Sequence, residues 1–155
     1  MSIKKKFLDT NIKNKSKTIH EKIQLVHHEG KQLPLPTEIE ISESGVCNRK
    51  CSFCPRSAPD FNEVKEFIDE KLYLKLCLEL KEFDYRGTIR FSGFVEPLLD
   101  KNIFNLISLT RSNLPSSNIE VVTNGDPLNL SRLKKLFLSG LNRLLISSYD
   151  GEKET

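Results

Sequence analysis

Between Glu38 and Ser148 the apolar residues keep changing their period, and that alternation leaves very few folds open to the chain. Glu38–Ser42 alternates polar and apolar residues, which predicts a short strand. Glu63–Phe83 carries Val64, Phe67, Ile68, Leu72, Leu76 and Leu80 at helical spacing and is closed by Gly87. Thr88–Ser92 predicts a second strand, after which Pro97 and Asp100 introduce a helix near Lys101–Ser112. Asn118–Thr123 is rich in β-branched residues and ends at Asn124-Gly125, a third strand with its turn. Ser131–Ser139 predicts a third helix stopped by Gly140, and Arg143–Ser148 a fourth strand running into Tyr149-Asp150-Gly151. Strands separated by single helices run parallel through right-handed crossovers, so the fold class is α/β.

In such folds the sites gather in loops at the carboxyl ends of the strands. Those loops hold Cys47–Cys54, Gly93–Pro97, Thr123–Pro127 and Ser147–Gly151, which places the polar motifs on one rim of the sheet.

The residues before the first strand differ in character. Residues 1–36 carry eight Lys against Asp9, Glu21 and Glu29, a balance of +5 in a chain whose net charge is +3. No aromatic residue is interleaved among Lys4, Lys5 and Lys6 as in a base-stacking surface, so a nucleic-acid partner is not expected. The segment reads as a basic, flexible leader with a weak helical pattern around Lys17–His28, ending at Pro34-Leu35-Pro36. No apolar run approaches the roughly 20 residues that span a bilayer, and the basic start lacks the apolar core of a secretory signal. No membrane association is expected, and cytoplasm is the expected compartment, where thiols stay reduced and available to metals.

The spacing Cys47-x3-Cys51-x2-Cys54 brings three thiols into one compact loop. Thiolates suit both zinc and iron–sulfur clusters. A structural zinc ion normally takes four protein ligands, and the fourth would have to be His27, His28 or Cys77. A cubane cluster on three cysteines instead leaves one iron open to a chelating ligand. Cys77, among the leucines of the long helical stretch, reads as a small core residue. Arg56, just after Cys54-Pro55, reads either as a charge aimed at the rim or as a surface residue.

Cys47-Asn48-Arg49-Lys50-Cys51-Ser52-Phe53-Cys54 resembles the cysteine motif of the radical S-adenosylmethionine (radical SAM) superfamily, including the aromatic residue before the last cysteine. The resemblance runs from about Glu38 to Gly151. It implies a partial TIM barrel of which this chain supplies roughly four of six βα units. The domain organisation expected is the leader, 1–36, followed by a core domain, 37–155, truncated at its carboxyl end. A second chain completing the barrel is one way to finish such a fold.

The resemblance also implies roles. Cys47, Cys51 and Cys54 would bind three irons of a [4Fe-4S] cluster, and the open iron would take the amino and carboxylate groups of S-adenosylmethionine. Reductive cleavage would then yield a 5′-deoxyadenosyl radical that abstracts hydrogen from a substrate still unknown. Phe53 would frame the adenine. Gly93-Phe94-Val95-Glu96-Pro97 stands where the family has a glycine-rich motif ending in Glu-Pro, which would receive the amino group. Val95 replaces a second glycine of that motif, a departure that bears on the width of the pocket. Thr123 and Asn124 would lie near the methionine and ribose, and Ser147 towards the ribose. The family implies a small electron donor of the flavodoxin or ferredoxin type. The alternative reading is a non-enzymatic zinc-binding module, or a catalytically silent fragment of a radical SAM enzyme.

Overall fold

The computed structural model describes residues 23–148, so Lys4–Lys6 and the Tyr149-Asp150-Gly151 turn lie outside the described residues. Contacts divide the chain into two units, Met1–Thr37 and Glu38–Thr155. In the first, β1 (Leu25–His28) pairs antiparallel with β2 (Lys31–Pro34). Glu29 and Gly30 both take positive φ, 49° and 74°, the two-residue turn whose twist matches paired strands. Residues 25–28 are therefore strand, although they close the weak helical pattern of Lys17–His28. A hairpin partner outweighs a marginal local preference.

In the second unit, β3 (Glu38–Ile41), β4 (Thr88–Phe91), β5 (Asn118–Thr123) and β6 (Arg143–Ile146) form a parallel sheet in sequence order. Glu38 pairs with Thr88, Thr88 with Asn118, and Glu120 with Arg143. The crossovers contain α1 (Glu70–Glu82), α2 (Ile103–Asn113) and α3 (Leu130–Leu138). This parallel α/β sheet is the one the alternation predicts, and it matches the partial barrel the resemblance implies. Ile89, Phe91, Ile119 and Val121 point from one sheet face into a core shared with Tyr73, Ile103, Leu106, Ile107 and Leu136, all at most 1% exposed. The other face carries charge. Arg90 bonds Glu38 at 2.5 Å and Glu120 at 3.0 Å, and Arg143 bonds the second oxygen of the fully buried Glu120. Burial pushes the Glu120 carboxyl up, but hydrogen bonds from Arg143 and Arg90 outweigh it and hold it below the usual range.

Two boundaries differ from the sequence pattern. The first helix starts at Glu70, where Asp69 caps it by accepting from the Leu72 N–H at 2.9 Å, and not at Glu63. Residues 63–68 instead run back along the chain after β3. The Ile68 N–H donates to Glu43 O at 2.7 Å, and the Gly45 N–H donates to Glu66 O at 2.9 Å. These long-range bonds leave Val64 and Phe67 exposed despite their helical spacing. Within α1 the core face is Tyr73, Leu76, Cys77 and Leu80, while Leu72 faces outward at 60% exposure.

Candidate functional site

The chain leaves β3, passes Glu43 and Ser44, and enters the cysteine loop at the carboxyl edge of the sheet. A tight turn, with the Cys54 N–H donating to Cys51 O at 2.9 Å, leads into a single 3-10 turn at Pro55–Ser57. The Arg49 N–H points at the Cys47 sulfur, 3.4 Å away. Cys47, Cys51 and Cys54 are all half-buried and unoxidised.

These thiols line one wall of an open cleft of about 120 Å³. Every residue the resemblance assigns to the cluster or the cofactor borders it: the three cysteines, Phe53, Gly93, Phe94, Val95, Glu96, Thr123, Asn124 and Ser147. Arg49, Arg56, Ser92 and Val122 join them. The carboxyl ends of all four parallel strands thus contribute to one cavity. Phe53 and Phe94 stand at its mouth, 59% and 58% exposed.

The loop after β4 is held by backbone demands. The Ser92 N–H extends the β3 ladder by donating to Ile41 O at 3.1 Å, and Ser42 Oγ donates to Ser92 O at 3.0 Å. Gly93 then takes φ +123°, where a Cβ would sit 2.2 Å from Ser42 Oγ. Only glycine meets both conditions. Glu96 is 1% exposed, and its carboxylate is engaged inside the protein. One oxygen accepts from the Leu98 N–H at 3.0 Å and from Thr123 Oγ1 at 2.6 Å, and the other from the Asn124 N–H at 2.7 Å. Its own N–H donates to Val46 O at 2.8 Å. Glu96 therefore ties the cysteine loop, the glycine loop and the end of β5 together.

Arg56 is buried, 4% exposed, with Nη1 donating to Gly45 O at 3.0 Å and Phe94 O at 3.2 Å, and Nη2 to Glu63 at 3.0 Å. Of the two readings open for Arg56, the rim-directed one holds, because the guanidinium fork joins two loops there. The sequence reading missed a second cross-link. Asn48 and Arg49, from the cysteine loop, bond Asp126. The Arg49 hydrogen bond holds the Asp126 carboxyl below its usual range. Separated by 77 residues, Arg49 and Asp126 carry no local signal that would pair them.

Cys77 lies elsewhere. It is 1% exposed on α1, against Tyr73 and Thr110, and burial pushes its thiol pKa up. That environment stabilises a neutral thiol rather than a metal-binding thiolate. Among the described residues, no group of three or more His, Cys, Asp and Glu side chains is gathered closely enough to hold a single metal ion. No described helix is long and apolar enough to cross a membrane.

The "Radical SAM superfamily" family model matches residues 41–154. An S-adenosyl-L-methionine-dependent 2-deoxy-scyllo-inosamine dehydrogenase from Niallia circulans is 34% identical over 115 residues, 74% of this chain and 46% of that protein. The crystal structure of BtrN in complex with AdoMet and 2-DOIA superposes with TM-score 0.71 at 32% identity, covering 76% of this chain and 47% of that one. An open conformation of BtrN gives TM-score 0.67 at 31% identity, covering 77% and 54%. The chain spans about half the length of the relatives it matches. With this match over most of its length, and a relative 34% identical over 74% of it, the chain belongs to the radical SAM superfamily.

Proposed function

We propose that residues 37–155 form the cofactor-binding part of a radical SAM enzyme, in which Cys47, Cys51 and Cys54 hold a [4Fe-4S] cluster. The observation that carries this reading is the donor set: three half-buried thiols on one loop, lining an open cleft at the strand ends. Each cysteine of a cubane binds a different iron, so the sulfurs need to share a wall rather than converge on a point. Membership of the radical SAM superfamily favours a cluster on these thiols over the zinc-module reading. When bound, the cluster supplies an electron and an open coordination position, the chemistry that breaks a carbon–sulfur bond of S-adenosylmethionine and opens the way to hydrogen abstraction.

The chain's own residues do the holding and orienting. Phe53, at the mouth, offers an apolar face to the adenine. Asn124 and Ser147 present polar groups from the ends of β5 and β6 to the ribose side. The backbone of Gly93–Val95 approaches the amino end of the ligand, and Val95 narrows the cleft there. Glu96 serves this site as a brace, since both carboxylate oxygens already accept hydrogen bonds from the protein. Dehydrogenation of a hydroxyl-bearing substrate is the outcome we carry over from the Niallia circulans relative, on 34% identity. A flavodoxin- or ferredoxin-type protein supplies the electron.

Anaerobic reconstitution with iron and sulfide tests the reading. The expected product is a reducible [4Fe-4S] chromophore whose electron paramagnetic resonance spectrum changes on adding S-adenosylmethionine. One tightly bound zinc and no cluster would overturn it.

A further inference from the structure

We propose that Asp126 is a positioning residue for the cysteine loop, clamping Asn48 and Arg49 so that the Cys47–Cys51 segment is fixed against the end of β5. The proposal rests on reading that segment as the cluster loop. Asn48 Nδ2 donates to Asp126 Oδ2 at 2.8 Å, and Arg49 Nε donates to the same oxygen at 2.7 Å. Arg49 Nη2 donates to Oδ1, which makes the ion pair bidentate. The geometry closes on itself. Asn124 Nδ2 donates to Asn48 Oδ1 at 2.8 Å, and the Asp126 N–H donates to Asn124 Oδ1 at 3.0 Å.

Three residues thus form a ring, Asn48 to Asp126 to Asn124 and back, closed through the Asp126 backbone N–H, with the guanidinium of Arg49 locked to its carboxylate. A bidentate Arg–carboxylate pair restricts orientation as well as distance, which a single hydrogen bond does not. Asn48 and Arg49 directly follow Cys47, and Asn124 borders the cleft. The ring therefore spans the gap between the thiol wall and the β5 wall. Both ends of the ion pair remain partly exposed, with side chains 35% and 41% accessible, so little folding stability depends on it. What it controls is the placement of the Cys47–Cys51 loop against the end of β5.

The test compares the full chain with Asp126→Ala and with Asp126→Glu, which restores the charge and the acceptor. Three measurements are made: melting temperature, amide hydrogen exchange of residues 46–51 in the metal-free chain, and iron release to an iron(II) chelator after reconstitution. Asp126→Ala is expected to melt like the wild type. Exchange in 46–51 should quicken, iron release should rise about fivefold, the size expected for one partly exposed ion pair, and Asp126→Glu should return both towards wild type. The spectral response of the reduced cluster to S-adenosylmethionine should weaken in Asp126→Ala as well. Unchanged exchange in 46–51, or iron release at the wild-type rate, overturns the proposal. Faster exchange throughout the chain with a lowered melting temperature also overturns it, by making Asp126 a general fold residue. If the wild-type chain takes up no cluster, the proposed function fails, and exchange in 46–51 alone decides the clamp.

Discussion

Glu96 reaches from the loop after β4 to the end of β5, where its carboxylate accepts from Thr123 Oγ1 at 2.6 Å and from the Asn124 N–H at 2.7 Å. A position the resemblance assigns to the ligand is thus spent on holding two loops of the cleft in register. Replacing Glu96 by Ala leaves these donors buried without an acceptor, which costs roughly 2–4 kcal/mol. Urea unfolding of Glu96→Ala should show that loss. S-adenosylmethionine affinity, measured calorimetrically on the reconstituted protein, should fall at least about tenfold. Glu96→Gln keeps one acceptor and should lie between.

Glu43, just beyond β3, is fully buried, and its Oε1 accepts from Ser44 Oγ at 3.2 Å. Its Oε2 has no hydrogen-bond partner among the described residues. Burial, with smaller contributions from Asp100 and Glu96, pushes the carboxyl up to about 7 from an ordinary 4.5. The folded chain therefore binds this proton more tightly than the unfolded chain. Its contribution is fully present below pH 4.5 and is lost as pH rises through 7. The loss amounts to about 3 kcal/mol. Urea midpoints of Glu43→Gln should be flatter than wild type across that window and higher at pH 8. A slope identical to wild type would count against this account.

The four cysteines should separate cleanly. Cys51→Ser is expected to reduce iron incorporation severely, because three thiolates are the whole donor set of the loop. Cys77→Ser should incorporate iron like wild type while losing about 1 kcal/mol of stability, since a more polar group enters the core beside Tyr73 and Thr110. Iron analysis of the reconstituted variants, with thermal melts, checks both. Loss of iron in Cys77→Ser would reopen the zinc reading.

Gly93→Ala meets two obstacles: φ +123° and a Cβ only 2.2 Å from Ser42 Oγ. It should destabilise by roughly 2–3 kcal/mol and weaken S-adenosylmethionine binding as the loop shifts. Adding Ser42→Gly removes the collision but not the backbone strain, so the double variant should recover only part of the loss. Full recovery would assign the whole effect to the collision.

Local pattern was sufficient for the parallel sheet and for most of the cleft. β-branched and alternating runs at 38–42, 88–92, 118–123 and 143–148 can bury themselves only by pairing, and single intervening helices force parallel crossovers. Such a sheet carries its loops to one edge, so Cys47–Cys54, Gly93–Glu96, Thr123–Asn124 and Ser147 meet without any of them encoding the others. Residues 63–68 show where this reasoning ends. Their apolar spacing matches a helix, yet their backbone pairs with Glu43 and Gly45 across the chain. Helix and extended conformations differ little for a six-residue stretch, and the long-range partners tip the balance.

The same division runs through the site. Residue type and spacing alone determined the thiol loop, because Cys47, Cys51 and Cys54 fall within eight positions and must share one loop. Folding decided which polar residues face the cleft and which bind each other. Glu96 turned inward to Thr123 and Asn124, Arg56 buried itself between Gly45 and Phe94, and Asp126 found Arg49. Charged side chains satisfy themselves through whatever the fold brings within about 3 Å, and chain separations of this length leave no trace in local sequence.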